Sequence, residues 1–334
     1  MTLRTTVEGV SEDSRARSVG IGRAHAKAIL LGEHSVVYGA PALALPIPQL
    51  TATASAGWSS HRADSQGNLS FTMTGSASRA VVTRASDGLQ QLAAAFKQRM
   101  RVPGSPHLDV ILDGAIPPGR GLGSSAANSR AIVLALADLF GRRLSDDTAF
   151  DLVQTAENLT HGRASGVDAR TVGASRPLRF QAGTVQQLAI GCEGLFIIAD
   201  SGVAGSTKEA VDLLRDDFGR RPGAQDAFLR RATDLTEDAT RALADGRIED
   251  LGAQLTTYHG LLRDVGLSVD RIEAMVAAAQ AAGSLGTKIT GGGLGGCVLA
   301  LTRTDQAREV TRELHEAGAV QTWVVPLRKV HHHV

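Results

Sequence analysis

Thiol and disulfide chemistry have little to work with in this chain: its two cysteines, Cys192 and Cys297, stand far apart and outside any C-x-x-C or Cys/His spacing. Neither a disulfide framework nor a zinc site is expected, and a reducing cytoplasm is the expected compartment. An excess of charge is also missing. With 35 basic against 34 acidic side chains, the chain has no bulk attraction for nucleic acid or an anionic membrane, so any anion it binds must be held locally. Apolar stretches such as "AIVLALADLF" stop well short of the roughly 20 residues that cross a bilayer, and the start of the chain has no basic-then-apolar signal. No membrane partner is expected, and a homodimer is left open. Internal repeats and low-complexity segments are absent as well.

What is present is an ordinary globular composition, 43% hydrophobic over 334 residues, enough for two domains. Residues 1–18 are polar and aperiodic and read as a disordered tail; the "HHHV" end, 331–334, is given no role. From Ile21 the text reads as a strand, a glycine turn and a small-residue segment ending at prolines. "LTATASA", "LSFTMTG" and "HLDVILDGAI" alternate as strands, and "DGLQQLAAAFKQRM" carries a helical stripe. A second stripe (Ile132, Leu136, Leu139, Phe140) stops at Gly141, and "DTAFDLVQTAENLTHG" stops at Gly162. After the strand "GLFIIADS" come charged helices over 206–218, 225–245, 248–265 and 270–282. The strand-like halves of "KITGGGLGGCVLALT", a helix over 304–317 and the strand "QTWVVPL" complete the chain. Helix and strand mix without regular alternation, which predicts an α+β fold. The shift to helices places a boundary near 185–194, giving domains over 19–190 and 191–330.

The stretch "GAIPPGRGLGSSAANSRAIVLAL", residues 114–136, sets glycines and serines at the mouth of a helix. A helix N-terminus carries unpaired N–H groups and about half a positive charge, and so attracts anions. Gly119, Gly121 and Gly123 have no Cβ to block a phosphate and can take positive φ. Ser124 and Ser125 can cap the helix, donate to phosphate or offer a hydroxyl to Mg²⁺. The plain alternative is a glycine turn with a serine N-cap. No Walker A lysine is present. The cluster "GGGLGG", 291–296, matches G-x-G-x-x-G but precedes a strand-like run instead of a helix, so a dinucleotide fingerprint is rejected. Close backbone approach, to a ligand or to another segment, remains.

"AKAILLGEHSVVYGA" places Lys27, Glu33 and His34 in apolar text, where charges either pair internally or face a polar cavity; three together favour the cavity. Glu157, near a helix end, and Asp168, in a Ser-Gly-Val-Asp turn, are caps or surface carboxylates in the plain reading. Beside a phosphate loop they are what phosphoryl transfer needs, one to hold Mg²⁺ and one to take the acceptor's proton. His161 reads as a hydrogen-bonded structural histidine.

Taken in order, "KAILLGEHSVVYG", "PPGRGLGSSAA" and "KITGGGLGGC" resemble the three motifs of the GHMP kinase family, which phosphorylates small metabolites with ATP. The resemblance covers nearly the whole chain after the tail. It implies a ribosomal-S5-like N-terminal domain and a ferredoxin-like C-terminal domain with ATP between them. It also implies Asp168 as catalytic base with Lys27 assisting, and Gly119, Arg120, Gly121, Leu122, Gly123, Ser124 and Ser125 as the phosphate loop. Ser125 and Glu157 match the Mg²⁺ ligands, and Glu33, His34, Thr207, Gly292 and Gly293 match positions around the acceptor. ATP is the implied co-substrate and Mg²⁺ the implied cofactor. "GEHSVVYG", "ENLTHGRASGVD" and "KITGGGLGGC" look most like members that phosphorylate mevalonate on its primary hydroxyl. Homoserine, galactose and a phosphomevalonate are the rival acceptors, and a non-catalytic metabolite sensor of the same fold is the rival class. Two departures stand out: His25-Ala26 where the family usually has Pro-Gly, and Ala164 where it usually has Pro. Both bear on loop stiffness.

Overall fold

The alternation of small and large residues over 19–58 builds a long antiparallel pair, β1 (Val19–Leu31) on β2 (Ala42–Trp58). This is seen in a computed structural model that describes residues 18–59, 69–75, 78–84, 87–102, 107–162 and 164–327, with the side chains of 75–87, 160 and 161 outside that set. Residues 1–17 of the expected tail, the terminal His run and the His161 side chain therefore lie outside the described residues. The expectation that the second segment ends at its prolines is overturned, because β2 continues through Pro46 and Pro48 to Trp58. The register jumps from Ala26↔Ile47 to His25↔Thr51. Pro48 falls in that bulge, where a missing N–H breaks no ladder.

β3 (Leu69–Gly75), β4 (Ser78–Arg84), β5 (Leu108–Gly114), β6 (Leu178–Gln181) and β7 (Thr184–Gln187) complete the first sheet, ordered β4-β3-β5-β2-β6-β7 with β1 also on β2. All pairs are antiparallel except β3 with β5. A second, antiparallel sheet runs β11-β8-β10-β9, from β8 (Gly194–Asp200), β9 (Gly286–Thr290), β10 (Cys297–Thr302) and β11 (Gln321–Leu327). The first sheet carries α1 (Asp87–Arg99), α2 (Ser124–Leu139), α3 (Asp146–His161) and the short α4 (Val167–Thr171). Next in the chain, α5 (Thr207–Arg220) packs on α6 (Ala224–Asp245), which packs on α7 (Ile248–Asp264) and also meets β1 and β2, while α7, α8 (Asp270–Ala281) and α9 (Ala307–Glu316) pack against the second sheet. The mixture is α+β, and the chain passes from one sheet to the other between Gln187 and Gly194.

Two packing details aim the middle of the chain at one place. Gly20 and Gly22 let α2 lie directly on β1, since a Cβ on either would fall 2.2 and 2.0 Å from the Ala135 and Ala131 carbonyl oxygens. That brings the start of α2 beside Lys27, whose backbone N–H donates to the Leu122 carbonyl at 3.1 Å. At the C-terminal end of β1, Thr290 of β9 bonds both ways to Ile29: its hydroxyl donates to the Ile29 carbonyl at 3.0 Å and accepts from the Ile29 N–H at 3.2 Å. One apolar core runs through both layers.

Candidate active site

Helix α2 begins without a serine cap. Its N-cap is Gly123, at φ 72° in the left-handed region with no side-chain cap hydrogen bond, so Ser124 and Ser125 lie inside the first turn. The serine N-cap reading is thereby overturned. The loop's geometry belongs to glycine, and the helix start keeps its N–H groups for other use. Gly119 and Gly121 also have positive φ, 70° and 75°.

The released Ser125 hydroxyl donates to Glu157 Oε1 at 2.6 Å. Glu157 is buried on α3, whose own N-terminus is capped by Ser145 accepting from the Thr148 N–H at 3.1 Å. A buried carboxylate beside a hydroxyl at a phosphate-type loop is a set of hard oxygen donors that suits Mg²⁺. That ion needs only one or two protein carboxylates when phosphates and water supply the rest. No cluster of three or more His, Cys, Asp or Glu occurs among the described residues, so a preformed all-protein metal cage is not part of this arrangement.

Lys27 is 2% exposed and splits its ammonium between Asp168 Oδ1, at 2.9 Å, and the Gly121 carbonyl, at 3.0 Å. Asp168 stands in the first turn of α4, held by Val167, which packs into a small cluster with Ile29, Val36, Ala42, Ala44, Leu178 and Phe180. Its side chain is 31% exposed. The two departures from the family pattern find local replacements. The Ala164 N–H, which proline would lack, donates to Asn158 Oδ1 at 3.0 Å, and the Ala164 carbonyl accepts from Gln154 at 2.8 Å. The His25 ring sits between the Ala26 and Ala174 carbonyls, 2.9 Å from each.

Glu33 and His34 are buried. The Glu33 carboxylate pairs with Lys288 from β9, the lysine that opens "KITGGGLGGC" and that the family resemblance gives no role, and Tyr258 of α7 donates to the Glu33 carbonyl at 3.0 Å. Burial raises the Glu33 pKa against the pull of Lys288 and lowers that of Lys288 against the pull of Glu33. His34 is pushed down to about 4 by burial, with Lys288 adding to the effect, so it is neutral at pH 7. Its Nε2 and the second Glu33 oxygen are buried without a hydrogen-bond partner among the described residues. His259 Nδ1 accepts from the Ile289 N–H at 3.3 Å while its Nε2 lies 3.0 Å from Glu273, bracing β9 from behind. "KITG" carried the signal for Lys288, a charge in apolar strand text like Lys27.

The second glycine cluster makes the close approach its composition allows. A Cβ on Gly291 would fall 2.4 Å from Gly121 Cα, and one on Gly292 would fall 2.3 Å from the Thr207 hydroxyl oxygen. A Cβ on Gly293 would come to 3.5 Å from His34 Nε2. The structure thus groups Lys27 with Asp168 and Gly121, Ser125 with Glu157, Glu33 with Lys288, His34 with Gly293, and Thr207 with Gly292. The Arg120 side chain points elsewhere, onto Asp200 at 2.8 Å.

Comparison with known proteins follows the same division. The family description "GHMP kinases N terminal domain" matches residues 87–173 and "GHMP kinases C terminal" matches residues 239–320. A mevalonate kinase of Thermococcus sibiricus is 31% identical over 315 residues, covering 90% of this chain and 94% of that protein. The L. major mevalonate kinase, solved in complex with R-mevalonate, superposes with a TM-score of 0.81 at 22% identity, over 95% of this chain and 98% of that one. The Streptococcus pneumoniae phosphomevalonate kinase, solved with phosphomevalonate and AMPPNP, superposes at 0.75 and 17% identity over 91% and 99%. Both superpositions speak to the fold.

Proposed function

The chain belongs to the GHMP kinase family, and from that premise we propose that it transfers the γ-phosphoryl group of ATP to the primary hydroxyl of mevalonate, giving 5-phosphomevalonate. The observation that carries the reading is Lys27, buried and shared between Asp168 and the Gly121 carbonyl at the mouth of an uncapped helix. An alcohol is a poor nucleophile. Asp168 takes the hydroxyl proton as the oxygen bonds to the γ-phosphorus, the bond to the β-γ bridging oxygen breaks, and ADP leaves. Lys27 holds the Asp168 carboxylate in place and offsets the charge that grows on the acceptor oxygen.

The N–H groups at the start of α2 and in the loop Gly119–Ser125 receive the polyphosphate, between domains spanning 19–190 and 191–330. Glu157 and Ser125 would hold Mg²⁺, which when bound neutralises phosphate charge. Neutral His34 offers one donor and one acceptor to the mevalonate end, with Glu33, Thr207, Gly292 and Gly293 around it. The mevalonate assignment draws on full-length relatives at about 30% identity that carry that name.

The test is an acceptor screen in which purified protein receives ATP and Mg²⁺ with mevalonate, phosphomevalonate, homoserine or galactose. Stoichiometric ADP release is expected with mevalonate alone; ADP release only with another acceptor, or with none, overturns the reading.

A further inference from the structure

Arg120 lies inside the phosphate loop, yet its guanidinium faces the other domain. Its Nε lies 2.8 Å from Asp200 Oδ1, an ion pair by proximity in which the Nε–H is not aimed at the oxygen, and its Nη2 donates to the Gly202 carbonyl at 3.0 Å. Asp200 closes β8, is 6% exposed, and accepts from the Gly202 N–H at 2.8 Å. The segment that follows, 201–206, is clasped from both sides. The Gly205 N–H donates to the Gly119 carbonyl at 2.9 Å, on the phosphate-loop side. On the other side the Ser201 hydroxyl donates to the Gly296 carbonyl at 2.7 Å, and the Gly296 N–H donates to the Val203 carbonyl at 2.8 Å. The segment ends at Ser206, which caps α5, and the first residue of that helix is Thr207.

We infer that Arg120 is a positioning residue, not a nucleotide ligand: its ion pair with Asp200 and its hydrogen bond to Gly202 fix the phosphate loop to the segment that presents Thr207, so that, together with the Gly205–Gly119 backbone bond, they hold the ATP site and the acceptor site in register. A planar guanidinium reaches a carboxylate and a carbonyl at once, which an ammonium on a flexible stem does not do as rigidly. A loop that must receive phosphate keeps its own N–H groups for the ligand, so its anchorage comes from a side chain directed away. The inference rests on the proposed function for the place of ATP on the loop, for Thr207 at the acceptor site and for the identity of the acceptor.

The experiment compares Arg120→Ala, Arg120→Lys, Asp200→Asn and the Arg120→Ala/Asp200→Asn pair with wild type. It measures the dissociation constant of a non-hydrolysable ATP analogue and the KM for mevalonate. Arg120→Ala and Asp200→Asn are each expected to raise both constants about tenfold, with the double variant no worse than the weaker single, as for two ends of one contact. Arg120→Lys is expected to fall between. An arginine that bound ATP would behave otherwise: Asp200→Asn would free it and leave nucleotide affinity unchanged or tighter, and that result overturns the inference. So does an Arg120→Ala variant whose mevalonate KM is unmoved. Asp200→Asn keeps the shape of the aspartate and tests the contact even where Arg120→Ala lowers the melting temperature. If wild type releases no ADP with mevalonate, the proposed function fails while the nucleotide measurements still decide on the latch.

Discussion

Lys27 Nζ lies 2.9 Å from Asp168 Oδ1 and 3.0 Å from the carbonyl oxygen of Gly121. The lysine comes from β1, the aspartate from the first turn of α4, and the glycine from the loop before α2, so one buried cation ties together three elements of distant sequence. Asp168→Asn keeps the shape and removes the proposed base. Its kcat is expected to fall by about 10²- to 10⁴-fold with ATP-analogue affinity nearly unchanged. Lys27→Met removes an anchor of the loop as well as a charge, and is expected to lower kcat and weaken nucleotide binding together. Steady-state kinetics beside equilibrium binding separates the two patterns; unchanged turnover in Asp168→Asn would contradict the role given to the carboxylate.

Gly121 tests how tightly the loop is set against the second glycine cluster. At φ 75°, with its virtual Cβ 2.7 Å from both Gly291 Cα and the Thr290 carbonyl oxygen, it has room for neither a left-handed alanine nor the methyl group. Gly223, at φ 81° with nothing within 4 Å, has the backbone strain without the clash. Gly223→Ala is expected to cost about 1–2 kcal/mol of stability with kinetics intact. Gly121→Ala must also part the loop from β9, and displacement of this order is expected to lower kcat/KM for ATP by about 10²-fold. Urea denaturation and kinetics of the two variants give the comparison.

Much of this site was legible because its chemistry lies in local words of sequence. "GRGLGSS" declares an unblocked backbone ahead of a helix, and Lys27 and Glu33 are charges in text too apolar to leave them solvated. Local text misleads where the outcome depends on which neighbour, near or far, takes a position. Ser124 and Ser125 were eligible caps by type, but Gly123 takes the left-handed cap position and carries the hydroxyls into the helix. Pro46 and Pro48 mark an end to extended structure by type, whereas Pro46 stays in register opposite Lys27 and a bulge between β1 and β2 absorbs Pro48. β4, β6 and β7 went unread: their stretches are short, and β7 is exposed along its whole length, so no alternation marks it. Lys288 stands out in "KITG" as a charge in apolar text, but its partner Glu33, at the opposite end of the chain, is legible only after β9 is docked on β1.

His34 makes stability depend on pH in a definite window. Its pKa is lowered from 6.5 to about 4 in the folded protein, so between those values the unfolded chain takes up a proton that the folded one refuses. The unfolded state binds more protons there, and stability falls as pH drops from about 6.5 toward 4 and levels off below that range. The full effect of this one group is about 3 kcal/mol. His34 also has φ 64°, which asparagine tolerates better than most residues. His34→Asn is therefore expected to flatten the pH dependence of the urea midpoint between pH 4 and 6.5. Parallel curves for wild type and variant would show that the ring is not held neutral.

The buried pair of Glu33 and Lys288 allows fold and function to be separated at one contact. With exposures of 2% and 0%, neither charge has water to fall back on, and loss of one partner leaves the other buried alone. Lys288→Met is expected to cost about 3–5 kcal/mol, and Glu33→Gln somewhat less, since the amide can still accept from Lys288. Combining them removes both charges while keeping volume, so the double variant is expected to regain more than half of the stability lost in Lys288→Met. Catalysis should not follow stability back. Glu33 and His34 are neighbours at the proposed acceptor site, and Lys288 contributes to keeping His34 neutral. The refolded, uncharged pair should therefore retain a raised mevalonate KM with ATP affinity near wild type. Recovery of both stability and KM would mean that the pair serves the fold alone; recovery of neither would mean that its two members are not coupled.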